Sequence, residues 1–147
     1  MLRRAFLTGL FATATSPAFA GLFSSTETGT LSITVDISSQ SMIVKDGWRT
    51  YFNFDVSTGR RGYSTPTGSF RPIRMHKMWY SSKYENSPMP WSIFFHGGYA
   101  IHGTEDLKHL GQIASHGCVR LDPKNAKKLF DLVQDYGMKN AKILITA

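Results

Sequence analysis

The sequence predicts a β-rich fold, mixed but mainly β, with a single helix near the C-terminus. Three observations carry this. Leu31, Ile33, Val35 and Ile37 occupy alternate positions with Ser32, Thr34 and Asp36 between them, the period of a half-buried strand. Asp46-Gly47 sits between two such runs and is a strong hairpin signal. Asp122-Pro123 opens a segment whose apolar residues recur at helical spacing.

Each element follows in order. Ser38 to Ser41 is polar enough to turn the chain, and Met42 to Lys45 returns it. Trp48 to Val56 is again aromatic or β-branched at alternate positions, which predicts a third strand. Gly59, Gly62, Pro66 and Gly68 then break the chain into a loop, and Phe70 to Arg74 is a short candidate strand. Trp91 to Phe95 and Tyr99 to His102 form two arms around His96-Gly97-Gly98. For the helix, Asp122 is an N-cap and Pro123 fits the first helical position. Ala126, Leu129, Phe130, Val133 and Tyr136 form one apolar stripe, and Gly137 suits the C-terminal cap. Ala141 to Thr146 closes the chain as a strand. The sequence has no internal repeat, and one domain over 30–147 is expected.

Composition bounds the function. The 147 residues are 41% hydrophobic and 18% charged, inside the globular range. A single cysteine excludes an intrachain disulfide framework and a Cys-rich zinc module. Seventeen Lys+Arg against ten Asp+Glu give a formal charge of +7, but the basic residues are scattered and form no long run. No nucleic-acid partner is expected from that pattern.

Residues 1–20 (MLRRAFLTGLFATATSPAFA) read as a cleaved export signal. Arg3 and Arg4 are the basic start, Ala5 to Thr15 the apolar run, and Ala18-Phe19-Ala20 the small-x-small cleavage site. That run is about half of the ~20 residues a spanning helix needs, so no transmembrane span is expected after cleavage. Arg3-Arg4-Ala5-Phe6-Leu7 is also similar to a twin-arginine signature, and a general secretory route fits equally. Residues 21–29 (GLFSSTETG) are small and polar, a flexible lead-in. Cleavage removes two arginines and leaves fifteen basic against ten acidic residues, +5.

The chemistry-bearing stretch is Ile101-His102-Gly103-Thr104 followed by Ser115-His116-Gly117-Cys118-Val119-Arg120-Leu121. A thiol attacks as its thiolate, and a nearby imidazole can take its proton. Gly117 removes a Cβ beside the sulfur, and successive amides at His116, Gly117 and Cys118 can hold an oxyanion. Residue types alone leave both a Cys-His acyl-transfer site and an inert buried thiol open. His102, His116 and Cys118 are also a candidate zinc set, but no spacing such as H-E-x-x-H accompanies them.

These residues resemble the L,D-transpeptidase catalytic domain of the YkuD type, whose signature is H-G-x, a gap, then [S/T]-H-G-C-[IV]-R-[LM]. The likeness extends to Val56-Ser57-Thr58-Gly59, to Thr65-Pro66-Thr67-Gly68-Ser69-Phe70, and to Gly98 through Thr104. It covers roughly Thr30 to Thr146, and no matching catalytic position departs from the pattern. It implies a twisted β-sandwich with a helix near the C-terminus. It also implies Cys118 as nucleophile, His102 as general base, and His116 as a third active-site residue orienting the cysteine loop. Ser115 is then the expected hydrogen-bond partner of an active-site histidine. Gly103 and Gly117 belong to the oxyanion and substrate-binding set. Arg120 either contacts a substrate carboxylate or makes an ion pair with Asp122 or another nearby acid. Trp79, Tyr80, Trp91 and Tyr99 are candidates to line a groove or to pack. His76, His96 and His109 match no catalytic position.

The reaction implied is cysteine acyl transfer on peptidoglycan stem peptides, donor and acceptor both, in the periplasm or cell wall. The bond between an L-centre and a terminal D-alanine is cleaved, and two third-position diamino acids are crosslinked. No cofactor and no metal are implied. Water or an envelope protein's amine are alternative acceptors, making the same site an L,D-carboxypeptidase or a protein–wall ligase. A wall-binding protein that kept the motif without catalysis is a further alternative. Acylation by carbapenems is the expected pharmacology.

Overall fold

The computed structural model describes residues 29–147. The expected export signal at 1–20 and the expected lead-in at 21–29, apart from Gly29, lie outside the described residues. Nine strands and one α-helix follow: β1 Leu31–Asp36, β2 Ser41–Asp46, β3 Arg49–Asp55, β4 Gly68–Phe70, β5 Arg74–Ser81, β6 Ser87–His96, β7 Tyr99–Gly103, β8 Val119–Leu121, α1 Pro123–Tyr136 and β9 Ala141–Thr146. Short 3-10 turns cover Leu107–His109 and Met138–Asn140.

Two mixed sheets form. The first runs β3-β2-β1-β9-β4 and the second β5-β6-β7-β8. The predicted alternation of β1 is exact in burial: Leu31, Ile33 and Val35 are fully buried while Ser32 is exposed. β1 pairs antiparallel with β2 and parallel with β9, so the last strand fills an interior place. Asp122 caps α1 as expected, its carboxylate accepting from Lys124 N–H at 2.8 Å. Ala126, Leu129, Phe130 and Val133 bury the helix stripe.

One core joins both sheets and the helix. Ile33, Val35, Met42, Val44, Ile143 and Ile145 meet Ile93, Phe95, Ile101, Val119 and Leu121 with Leu129 and Val133 of α1. The second sheet thus spends the odd-numbered side of β6, β7 and β8 on that core. Its other side carries Phe94, Ala100, His102 and Arg120, and there a smaller cluster of Met89, Phe94 and Ala100 packs against Cys118. The functional residues lie on this outer face because strand side chains alternate with period two.

Two expectations change. Phe70 to Arg74 is not one strand: β4 ends at Phe70 and β5 begins at Arg74, so the stretch joins elements of different sheets. The Trp91–Phe95 arm is the end of a longer strand that starts at Ser87 and contains Pro88 and Pro90. Both prolines lie where β6 has only β5 beside it, because β7 pairs no earlier than Ile93. A strand with one open edge tolerates the missing N–H groups.

Candidate active site

Register places the two reactive side chains. In the parallel β7–β8 pair His102 sits opposite Arg120, and Ile101 opposite Val119. Cys118, one residue before β8, therefore shares the outer face with His102 and Arg120. All three line a cleft of about 550 Å³, together with His116, Arg74 and Trp79.

His102 is held by its own neighbour. Its Nδ1 donates to the Gly103 carbonyl at 2.6 Å, which fixes the imidazole as the Nδ1–H tautomer and leaves the Nε2 lone pair free to accept a proton. Burial pushes the His102 pKa down to about 4; the Gly103 carbonyl opposes this and the Arg120 charge adds to it. Burial likewise raises the Cys118 thiol, against weaker help to the thiolate from the Ala100 amide and Arg120. Sγ lies 3.9 Å from the Gly98 carbonyl. Both shifts favour the uncharged forms, a neutral thiol and a neutral imidazole lining the same cleft.

The cysteine loop is built from backbone bonds. The Ser115 hydroxyl accepts from Gly117 N–H at 3.0 Å and donates to the Cys118 carbonyl. It holds the loop itself and bonds to neither histidine, which corrects the expected role of Ser115. It also occupies the Gly117 amide, one of the three donors expected for an oxyanion. Gly117 has φ of +115°, and a Cβ there would lie 2.6 Å from the Tyr99 ring. Only glycine meets both conditions.

The Val56–Gly59 and Thr65–Gly68 segments cradle this loop. Ser57 and Arg120 exchange backbone bonds of 3.0 and 2.8 Å, and the Thr58 carbonyl accepts from Ala114 and Ser115 at 2.9 Å. The Thr65 hydroxyl donates to the Gly117 carbonyl at 2.8 Å and accepts from Gly59 N–H at 2.9 Å. Thr58 is fixed in turn by Gln40, whose amide oxygen accepts from Thr58 N–H at 2.9 Å and whose Nε2 donates to Thr58 Oγ1 at 2.6 Å.

His116 lines the cleft but works differently from His102. Tyr84 stacks on its ring with centroids 4.4 Å apart, Tyr63 meets it edge-on at 4.8 Å, and the Arg60 guanidinium donates to Nε2 at 3.0 Å. Burial first, then the Arg60, Arg120 and Lys83 charges, keep its pKa below the usual histidine range. The ring is a neutral, clamped wall.

Gly103 is buried, and a Cβ on it would lie 2.9 Å from Pro123 Cα and 3.0 Å from Pro90 Cγ. Its place is a close helix–strand contact plus the carbonyl under His102, so it is not a surface that substrate touches. Arg120 pairs with Asp106 at 4.0 Å and not with Asp122, which is the helix cap. Asp106 is also bonded to His109 Nδ1 at 2.6 Å. Of the candidate groove aromatics, Trp79 lines the cleft while Trp91 packs on Phe130 of α1. Sequence reasoning missed Tyr84, Gln40, Thr65 and Arg74. The T-P-T-G segment was the available signal for Thr65.

A family model for the L,D-transpeptidase catalytic domain, YkuD, matches residues 31–145. The chain belongs to that family. A Bacillus subtilis (strain 168) protein named "Putative L,D-transpeptidase YciB" is 29% identical over 119 residues, covering 71% of this chain and 61% of that protein. Among solved structures, the L,D-transpeptidase from Mycobacterium smegmatis superposes with a TM-score of 0.73 at 20% identity, over 81% of this chain and 59% of that one. The L,D-transpeptidase (Yku) from Stackebrandtia nassauensis gives 0.72 at 27% identity, over 80% and 56%. LdtMt1 in complex with imipenem gives 0.72 at 20%, over 80% and 59%. The chain spans less than two thirds of each of these relatives. The two mixed sheets with one helix near the C-terminus are the L,D-transpeptidase fold. Among the described residues no helix is long and apolar enough to cross a membrane.

Proposed function

We propose that this protein is an exported cysteine L,D-transpeptidase acting on peptidoglycan stem peptides in the periplasm or cell wall. The observation that carries the reading is that Cys118 and His102 line one cleft from the same sheet face, the imidazole fixed by Gly103 with Nε2 left as acceptor. Export rests on the pattern of residues 1–20.

In the first half-reaction Cys118 Sγ attacks the L-centre carbonyl of the third residue of a tetrapeptide stem while its proton passes to His102 Nε2. The developing oxyanion is held by the amides left to it, at His116 and Cys118. The C–N bond breaks, His102 returns the proton to the departing nitrogen, and D-alanine leaves a thioester on Cys118. In the second, the side-chain amine of another stem attacks the thioester carbonyl and gives a proton to His102. The C–S bond breaks, sulfur takes that proton, and a crosslink between two third-position residues remains. The low pKa of His102 keeps it unprotonated, ready to accept, across neutral pH. No step calls for a cofactor.

Two measurements test this. Incubation with a carbapenem should add the drug's mass to the wild-type protein and none to Cys118→Ala; an equal adduct on both, or none on either, overturns the reading. Digested sacculi treated with the enzyme should gain crosslinked dimers by mass spectrometry. Tripeptide monomers alone would reassign it as a carboxypeptidase, and foreign peptides left on stems would make it a protein–wall ligase.

A further inference from the structure

We propose that Arg74 is the specificity-determining cation of the cleft, binding a carboxylate of the acyl-donor peptide across the cleft from the thiol. This rests on the transpeptidase reading and deepens it.

The residue's place is set by register. Arg74 of β5 sits opposite Phe94 of β6, and Phe94 opposite Ala100 of β7. The parallel β7–β8 offset continues that row to Cys118. One row across the outer face therefore runs Arg74, Phe94, Ala100, Cys118. The Arg74 guanidinium lies over the Phe94 ring, 3.6 Å from its centroid, and 4.6 Å from that of Trp79. Cys118 packs against the cluster that contains the same Phe94. Strands are spaced about 4.8 Å apart, so the charge stands roughly 10 Å, two strand gaps, from the Cys118 backbone. That spacing suits a carboxylate on the residue whose carbonyl is attacked, or on the next residue along.

Charge bookkeeping separates the two arginines of the cleft. Arg120 has Asp106 at 4.0 Å. Among the described residues Arg74 pairs with no carboxylate, and its side-chain partner is His76 Nε2 at 3.3 Å. A guanidinium carries five N–H donors in a planar fork that matches a carboxylate. Packed on two aromatic faces, this fork is flat and pre-aimed, and it lines the cleft. Two carboxylates of a donor tetrapeptide fit the distance: the one on the side chain of the third-position diamino acid, and the C-terminal one of D-alanine.

The test uses three synthetic tetrapeptides: one with both carboxylates free, one with the side-chain carboxylate as carboxamide, and one ending in D-alaninamide. Release of the fourth residue is followed for wild type, Arg74→Met and Arg74→Lys. The expected result is that one carboxamide lowers wild-type kcat/KM at least tenfold, mainly through KM, and which one identifies the bound group. Arg74→Met then treats all three alike, Arg74→Lys discriminates weakly, and both keep the wild-type circular dichroism spectrum. If wild type ignores both substitutions, or Arg74→Met slows all three peptides equally and keeps the preference, the proposal is overturned and Arg74 only stiffens the hairpin. If wild type releases nothing from any peptide, the transpeptidase reading fails and this assignment falls with it.

Discussion

The Ser115 hydroxyl donates to the Cys118 carbonyl at 2.5 Å while accepting from the Gly117 amide at 3.0 Å. A fully buried side chain thus ties together both ends of the Gly117-Cys118 dipeptide that presents the thiol. Ser115→Ala leaves a buried donor and a buried acceptor unmatched, a cost of about 1–3 kcal/mol. A lower urea midpoint is expected, with carbapenem acylation slowed at least tenfold in protein that remains folded by circular dichroism. Acylation at the wild-type rate would mean that the loop holds its shape without this hydroxyl.

Gly117 combines a positive φ with a ring where its Cβ would go. Gly117→Ala should reduce acylation on the order of a hundredfold, since the loop must move to relieve both conflicts. Adding Tyr99→Ala removes the clash and leaves the backbone conflict. The double variant should recover part of the rate and not all of it, and full recovery would show that φ at this position is unimportant.

Gln40 lies far from Cys118 in the chain and controls it through Thr58. It is buried at φ +50°, and its side chain makes three bonds, to the Ile37 carbonyl, Thr58 N–H and Thr58 Oγ1. Gln40→Ala should lower stability by about 2–4 kcal/mol and slow acylation as well. Gln40→Glu loses the donor half of the amide, so its urea-midpoint deficit relative to wild type at the same pH should narrow as acid protonates the new carboxyl. A Gln40→Ala protein as stable and active as wild type would remove this relay.

The His102 pKa sets a pH window for stability. Its folded value of about 4 lies below the ordinary histidine value of 6.5, so between these the unfolded chain binds a proton that the native one does not. Stability therefore rises with pH across that window and falls as pH drops through it, by an amount on the order of 3 kcal/mol. Urea midpoints measured between pH 7 and pH 4 should fall more for wild type than for His102→Asn. The acylation rate of wild type should hold to about pH 5.5, well below where an unperturbed histidine would have lost its base form. Parallel midpoints for the two proteins would contradict the buried neutral base.

Much of this was legible in the sequence, and the rest was not for identifiable reasons. The alternation of Leu31 to Val35 and the capped stripe of α1 survive because each buries one face against a single core. His102 and Cys118 were legible because a spaced motif carries them. The extent of β5 and β6 was not, because Pro88 and Pro90 are poor strand formers until pairing on one side alone explains them. The partner of Ser115 could not be read either. A hydroxyl followed by a histidine and then a glycine is compatible with a bond to either, and only the left-handed turn at Gly117 brings the amide to it. Arg74 was invisible for the opposite reason: nothing local marks an arginine whose importance is a row of four residues from four segments.

The parallel pairing of β1 with β9 has a consequence for when the thiol becomes dangerous. Residue 31 is hydrogen-bonded alongside residue 141, and β4 is attached to its sheet through β9 alone. Such remote contacts are slow to form and cannot form at all while the C-terminal strand is still missing. The first sheet, and with it the Gln40–Thr58 brace under the cysteine loop, is completed only when β9, which follows Cys118 in the chain, joins β1 and β4. A nascent polypeptide therefore holds its cysteine in an unconfigured loop until β9 is in place.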